Sequence, residues 1–169
     1  DGGALPRGLL FGRFGTRIEA ARGSRPARLW FVGDLFDIVR SPTWLDGAYR
    51  PYHEVGAGVQ GVVEGIVDRI LVREAKFFTA IRTHVESGQL EVTYLLGNHD
   101  RLLGETPKAR RKIWKALTGK DEDVVFPTER AFPDHEVLAY HGHVGDPINV
   151  NADGGPSALT LIGSPTCPW

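Results

Sequence analysis

Three separate stretches of the chain end in side chains that can bind metal ions or move protons. Asp34 follows one apolar run, Asn98, His99 and Asp100 follow a second, and His141 follows a third. Carboxylate, amide and imidazole groups together form a donor set that suits Mn²⁺, Fe or Zn²⁺ better than Ca²⁺. The sequence therefore predicts a metal site assembled from distant parts of the chain.

Each cluster lies at the end of a predicted strand, over about residues 28–32, 92–96 and 137–140. Ligands of open α/β sheets bind outside the carboxyl ends of the strands, so we expect the clusters to meet. Each alone has a simpler interpretation, as a turn, a helix cap or a core histidine. Their recurrence at three strand ends is what favours a metal site over these alternatives.

The residue types also indicate a reaction. Asp34 has two oxygens and can bridge two cations, and a pair of metal ions about 3.5–4 Å apart can clamp both oxygens of a phosphoryl displacement. Bound metal lowers the pKa of water to about 7, which provides a hydroxide nucleophile. We expect His99 to protonate the leaving oxygen, and Asp100 either to orient His99 or to support the loop. Asp37 is expected to hold the turn without binding metal.

The remaining pattern predicts the elements that support these clusters. Apolar residues at three- and four-residue steps predict a long helix over 58–86, and a second, basic helix is predicted over 107–117. Short strands are expected at 124–126 and 130–132, and a short helix at 17–22. The order strand, helix, strand, helix, strand predicts an α/β fold.

Residues 38–57 read as an irregular loop with four aromatic rings, those of Trp44, Tyr49, Tyr52 and His53. Two interpretations remain open: the rings pack the loop onto the core, which we favour, or they form a wall of the substrate site. The cations of the basic helix raise a similar choice between a solvated face, which we favour, and a phosphate-binding patch.

Residues 56–61, Gly-Ala-Gly-Val-Gln-Gly, match the glycine spacing of dinucleotide-binding loops. No predicted strand precedes them, and no second strand with a terminal acid follows about 20 residues later. We therefore reject a nucleotide-binding function for this segment.

Composition limits the remaining possibilities. The 169 residues predict a single domain, and a net charge of −1 gives no indication of nucleic-acid binding. No apolar run has the roughly 20 residues that span a bilayer. The single cysteine, Cys167, excludes an intrachain disulfide and fits a cytoplasmic location. The sequence leaves the oligomeric state open.

Two of the clusters together resemble the calcineurin-like metallophosphoesterases. Residues 33–37, Gly-Asp-Leu-Phe-Asp, and 97–100, Gly-Asn-His-Asp, are similar to that family's second and third motifs, and 141–149 resembles its fourth. The resemblance implies two packed mixed sheets flanked by helices. It also implies two divalent metal ions, Mn²⁺ foremost with Fe or Zn²⁺ as alternatives, and hydrolysis of phosphate mono- or diesters.

The resemblance further implies a role for each residue. Asp34 would be the bridging ligand, Asn98 and His141 would bind the second metal, and His99 would be the catalytic histidine. The family's opening Asp-x-His and closing Gly-His-x-His are absent, and the chain contains no methionine. We therefore expect a domain truncated at both ends that binds at most one metal well. The alternative is a catalytically inactive relative that serves as a binding or regulatory module.

Overall fold

The computed structural model describes residues 7–133 and 136–143, with side chains from residue 13 onward, and has a mixed α/β fold. Its four helices are α1 Arg7–Arg22, α2 Ala57–Arg73, α3 Ala75–Glu86 and α4 Pro107–Thr118. Its strands are β1 Ala27–Val32, β2 Leu90–Leu95, β3 Glu129–Phe132 and β4 Val137–Tyr140. Short 3₁₀ helices cover Ile38–Arg40, Pro42–Leu45 and Arg101–Glu105. No helix within these ranges has both the length and the apolar character needed to cross a membrane.

Strands β1 and β2 pair in parallel, from Ala27 opposite Leu90 to Val32 opposite Leu95. Both strands therefore end at the same edge, which brings the two segments that follow them side by side. Strands β3 and β4 form a separate antiparallel pair, after which His141 follows directly. The parallel register therefore places the segment after β1 next to the segment after β2, as the sequence predicts.

Successive side chains of β1 point to opposite faces, and this alternation builds three layers. Phe31 meets Phe77 of α3 in an edge-to-face contact at 6.3 Å between ring centroids. Trp30, on the other face, stacks on Phe132 of β3 at 3.9 Å. The parallel pair therefore lies between the helices and the β3–β4 hairpin, and its core includes Val63 and Ile81, both fully buried.

The helix predicted over 58–86 is interrupted at Glu74, where α2 ends and α3 begins. The backbone of Glu74 has φ −104° and ψ 23°, outside helical geometry. Its N–H still bonds to the carbonyl of Ile70, so the chain changes direction without losing this hydrogen bond. The predicted apolar stripe has a gap between Leu71 and Phe77, which is the sequence signal of the break.

Several smaller expectations also differ from the structure. Residues 124–126 are not a strand: the segment lies alongside the end of β2, where the N–H of Leu96 bonds to the carbonyl of Pro127 at 2.8 Å. Helix α1 begins earlier than predicted, at Arg7. The element considered at 159–162 lies outside the described residues.

Candidate active site

Asp34 follows the end of β1, and its carboxylate lies close to the backbone of Gly97. Gly33 and Asp34 both have positive φ, 81° and 56°, which turns the chain sharply after the strand. The Oδ1 of Asp34 accepts the N–H of His99 at 3.0 Å. A Cβ on Gly97 would overlap that oxygen and lie 2.7 Å from the backbone nitrogen of Asp34. Glycine at 97 is therefore what lets the carboxylate approach the second cluster.

His141 faces the same carboxylate from the hairpin. Its Nδ1 lies 2.7 Å from the carbonyl oxygen of Val32, which can only accept, so Nδ1 carries a proton. Its Nε2 lies 2.9 Å from Oδ2 of Asp34. Nε2 and Oδ2 are therefore close enough to be ligands of one cation.

This spacing fits shared coordination of a metal ion. Ligand atoms at about 2.0–2.2 Å from a metal and at right angles to each other lie about 3 Å apart. A backbone carbonyl that fixes the other imidazole nitrogen is a common support of metal-binding histidines. The Nδ1–H of His141 and the 2.9 Å between its Nε2 and Oδ2 of Asp34 therefore fit the binding of one cation by both side chains.

Asn98 lies three residues beyond Leu95, the last residue of β2, and is only 7% exposed. Its backbone carbonyl accepts a hydrogen bond from Arg101 at 3.3 Å. Over residues 7–133 and 136–143, no three His, Cys, Asp or Glu side chains form a group that could hold a metal ion. The predicted metal ligands include only two side chains of these types, those of Asp34 and His141. The third predicted ligand is the side-chain amide of Asn98.

His99 is oriented by Asp37, a contact that the sequence analysis missed. The Nδ1 of His99 lies 2.6 Å from Oδ1 of Asp37, which itself adopts a left-handed backbone conformation with φ 48°. Asp37 was expected only to hold the turn. The signal was its position three residues after Asp34, but recognising it requires knowing that the two strand ends lie side by side.

The sequence left two roles open for Asp100, to orient His99 or to support the loop. The contacts of its two oxygens correspond to the second role. Its Oδ2 accepts the hydroxyl of Tyr94 at 2.6 Å, and its Oδ1 accepts the N–H of Phe36 at 3.2 Å. Burial raises its pKa to about 6 against the opposing effect of these hydrogen bonds. Desolvation and the Asp100 charge also raise the pKa of Tyr94. Asp100 is thus a buried carboxylate that joins the segment after β1 to β2, and its catalytic role remains a prediction.

A second histidine, His143, lies beside His141, with 5.4 Å between ring centroids. Its buried Nδ1 has no hydrogen-bond partner in the part of the chain that the structure describes. Burial and the proximity of His141 lower its pKa, while Asp34 acts in the opposite direction. The sequence analysis did not select His143 as a site residue, although it lies in the segment 141–149 that resembles the family's fourth motif.

The aromatic loop divides between the two interpretations offered for it. Trp44 is buried, and its indole N–H bonds to the carbonyl of Ile38 at 2.7 Å, so this ring packs the loop onto the core. Tyr49 and Tyr52 remain 45% and 49% exposed. A Cβ on Gly58 would overlap the Tyr49 ring, so this glycine makes room for a tyrosine.

The basic charge of α4 is largely neutralised within the protein. Its cations form ion pairs with acidic side chains of α2 and of the turn after α4: Arg110 with Asp123, Arg111 and Lys115 with Asp121, and Lys112 with Glu64 and Asp68. Arg110 also donates to the carbonyl of Leu103. These contacts argue against the phosphate-binding patch.

No model of a protein family, no curated protein and no solved structure matches this chain. A functional assignment therefore has to come from the residues themselves. The strongest geometric features are the Asp34–His141 and Asp37–His99 contacts at the shared edge of the two strands.

Proposed function

We propose that the chain carries a metal-dependent phosphoesterase site that hydrolyses phosphate mono- or diesters. The observation that supports this most is the juxtaposition of two functional pairs. Asp34 and His141 face each other at 2.9 Å, while His99, bonded to Asp34 through its backbone, is held by Asp37 at 2.6 Å. Potential metal ligands and an oriented histidine thus occur together, as phosphoryl transfer to water requires.

Asp34, Asn98 and His141 would hold the metal, with Mn²⁺ as the first choice and Fe or Zn²⁺ as alternatives. Up to two divalent ions are proposed, and when bound they supply an acidified water and neutralise phosphate charge. The protein fixes its ligands in advance. The Val32 carbonyl keeps Nε2 of His141 directed at Asp34, and the backbone N–H of His99 holds the carboxylate.

His99 would act as the general acid toward the leaving oxygen. Because Asp37 engages Nδ1, the ring presents Nε2 as the atom that gives up the proton. The Asp37 carboxylate holds the ring in one orientation. In comparable arrangements an acid–base residue contributes about 10²–10⁴-fold to the rate.

We further propose that the chain is part of a calcineurin-like metallophosphoesterase domain with two mixed sheets flanked by helices. In support, the helices and the β3–β4 hairpin lie on opposite faces of the parallel pair. A cytoplasmic location remains a prediction from composition.

The test is Mn²⁺-dependent hydrolysis of bis(p-nitrophenyl) phosphate, with metal content measured by mass spectrometry. It is made on the 169-residue chain and on the full-length protein, meaning any longer natural chain that contains these residues. Asn98→Ala should abolish both activity and bound metal. Gln60→Ala is the control, because this amide bonds to the carbonyl of Glu105 away from the site. It should leave activity and metal unchanged.

The outcomes separate the two functions considered. Chelator-sensitive activity that Asn98→Ala removes would support the phosphoesterase. Absence of both metal and hydrolysis in the full-length protein would refute it and favour the metal-free binding or regulatory module.

A further inference from the structure

The loop that carries the exposed tyrosines is rigidly held although it has little regular secondary structure. The guanidinium of Arg50 donates to three backbone carbonyls, those of Trp44, Gly47 and Tyr49. The backbone N–H of Arg50 donates to Nδ1 of His53 at 3.2 Å, and the N–H of His53 returns to the carbonyl of Arg50. The loop therefore presents its side chains in fixed positions.

Two of those side chains are not explained by packing onto the core. Tyr52 is half exposed and meets the edge of His53, at 5.1 Å between ring centroids. Tyr49 rests on Gly58 but leaves nearly half of its surface exposed. Leu45 is exposed beside them in the chain. Fixed, exposed apolar groups of this kind are typical of binding surfaces.

This surface is connected directly to the proposed active site. One guanidinium, that of Arg101, donates to the carbonyl of Asn98 at 3.3 Å and to that of Pro51 at 2.8 Å. Two carbonyls bonded by one guanidinium lie within about 8 Å of each other. Tyr52 follows Pro51 immediately, so its backbone lies close to the loop that carries Asn98. Burial lowers the pKa of Arg101 to about 10, and this residue remains a cation at neutral pH.

We infer that Tyr49 and Tyr52 form an aromatic ledge that binds a flat ring in the alcohol part of the phosphate ester. The inference rests on the proposed phosphoesterase function and adds a substrate class to it, aryl esters in preference to alkyl esters. A ring that stacks on tyrosine gains contact area and an offset or edge-to-face interaction, whereas a short alkyl group gains neither. The fixed loop lowers the entropy cost of forming the contact.

The experiment compares phenyl phosphate with ethyl phosphate, and diphenyl with diethyl phosphate, by phosphate or alcohol release with Mn²⁺ on the full-length protein. Tyr52→Ala should lower kcat/KM for the phenyl esters about three- to tenfold and leave the ethyl esters unchanged. Tyr52→Phe keeps the ring and should behave as the wild type. Tyr140→Ala, which removes another exposed ring, on the hairpin, is the matched control.

The ratio of phenyl to ethyl kcat/KM decides the inference, because each variant is compared with itself and differences in leaving group cancel. An unchanged ratio in Tyr52→Ala would overturn the ledge while leaving the phosphoesterase intact. Failure of the wild type to hydrolyse any of the four esters, or bis(p-nitrophenyl) phosphate, would overturn the proposed function and the ledge with it.

Discussion

Replacing the buried Asp100 by asparagine should remove a pH-dependent cost that the folded protein carries. Asparagine can still accept the N–H of Phe36 and can donate to the hydroxyl of Tyr94, so both hydrogen bonds can be retained. What disappears is a carboxylate whose negative form is disfavoured by burial and by nearby Asp34. The prediction concerns protein kept in chelator, because a bound cation would stabilise the negative charge.

The sign and size follow from the pKa of Asp100, which folding raises from 3.8 to about 6. Between these values the folded state binds more protons than the unfolded state, so the wild type loses stability as the pH rises. A shift of about two units corresponds to about 3 kcal/mol. Relative to wild type, Asp100→Asn should therefore be equally stable near pH 4 and more stable, by up to about 3 kcal/mol, at pH 7.

Urea unfolding at half-unit steps from pH 4 to pH 7 measures this difference directly. Subtracting wild type from variant cancels the titration of every other carboxylate. Asp121→Asn is the control of opposite sign, because hydrogen bonds from Lys115 and Arg111 lower the pKa of this exposed carboxyl. Its removal should destabilise the protein nearly equally from pH 7 to pH 4, because the stabilising effect is lost only as the pH falls from 3.8 toward the lowered pKa.

Either of two results would refute the reasoning for Asp100. If the stability difference between Asp100→Asn and wild type is constant from pH 4 to pH 7, the carboxylate is not disfavoured by the fold. If the variant becomes less stable than wild type as the pH rises, the hydrogen bonds from Tyr94 and Phe36 outweigh the burial.

Two further predictions test the site itself. Asp37→Ala should lower kcat by up to about 10²–10⁴-fold with metal content unchanged, because it removes the acceptor that orients the ring of His99 without removing a proposed ligand; a change of less than threefold would contradict this. Gly97→Ala should weaken metal binding, measured by calorimetry, at least about tenfold, because the added methyl displaces Asp34. Gly61→Ala is its control, since nothing lies within 4 Å of the added methyl, and it should keep the metal and gain about 0.5–1 kcal/mol of stability.

The elements that depend on local pattern were well predicted from sequence. Helix α4 begins at Pro107 and is closed by Gly119 with φ 79°, as its sequence signals indicate. Thr106, in contrast, precedes α4 without capping it, and its hydroxyl instead donates to the carbonyl of Leu102. The two ends of α4 could thus be predicted from the local sequence, whereas the hydrogen bond that the Thr106 hydroxyl makes could not.

The interactions that define the site could not be predicted in the same way. Asp37 and His99 are 62 positions apart, and their contact depends on the register of β1 against β2. Sequence spacing selected His99, expected Asp37 only to hold the turn, and left open whether Asp100 orients His99 or supports the loop. In the folded chain the two oxygens of Asp100 accept hydrogen bonds from Tyr94 and Phe36, which its position in the sequence does not reveal.

Because of the hydrogen bonds around His99, a loss-of-function screen at this site would report on stability as well as on activity. Asp34 and Asp100 each join the segment after β1 to the segment after β2, and the N–H of Val39 adds a third link to the carbonyl of His99. The Asp34 carboxylate, proposed as a metal ligand, therefore also holds the fold together, whereas many active-site residues are tolerated at a cost in stability. Substituting Asp34 should lower cellular abundance together with turnover. Selection on abundance alone would then maintain this side chain, even in a descendant that had lost its substrate.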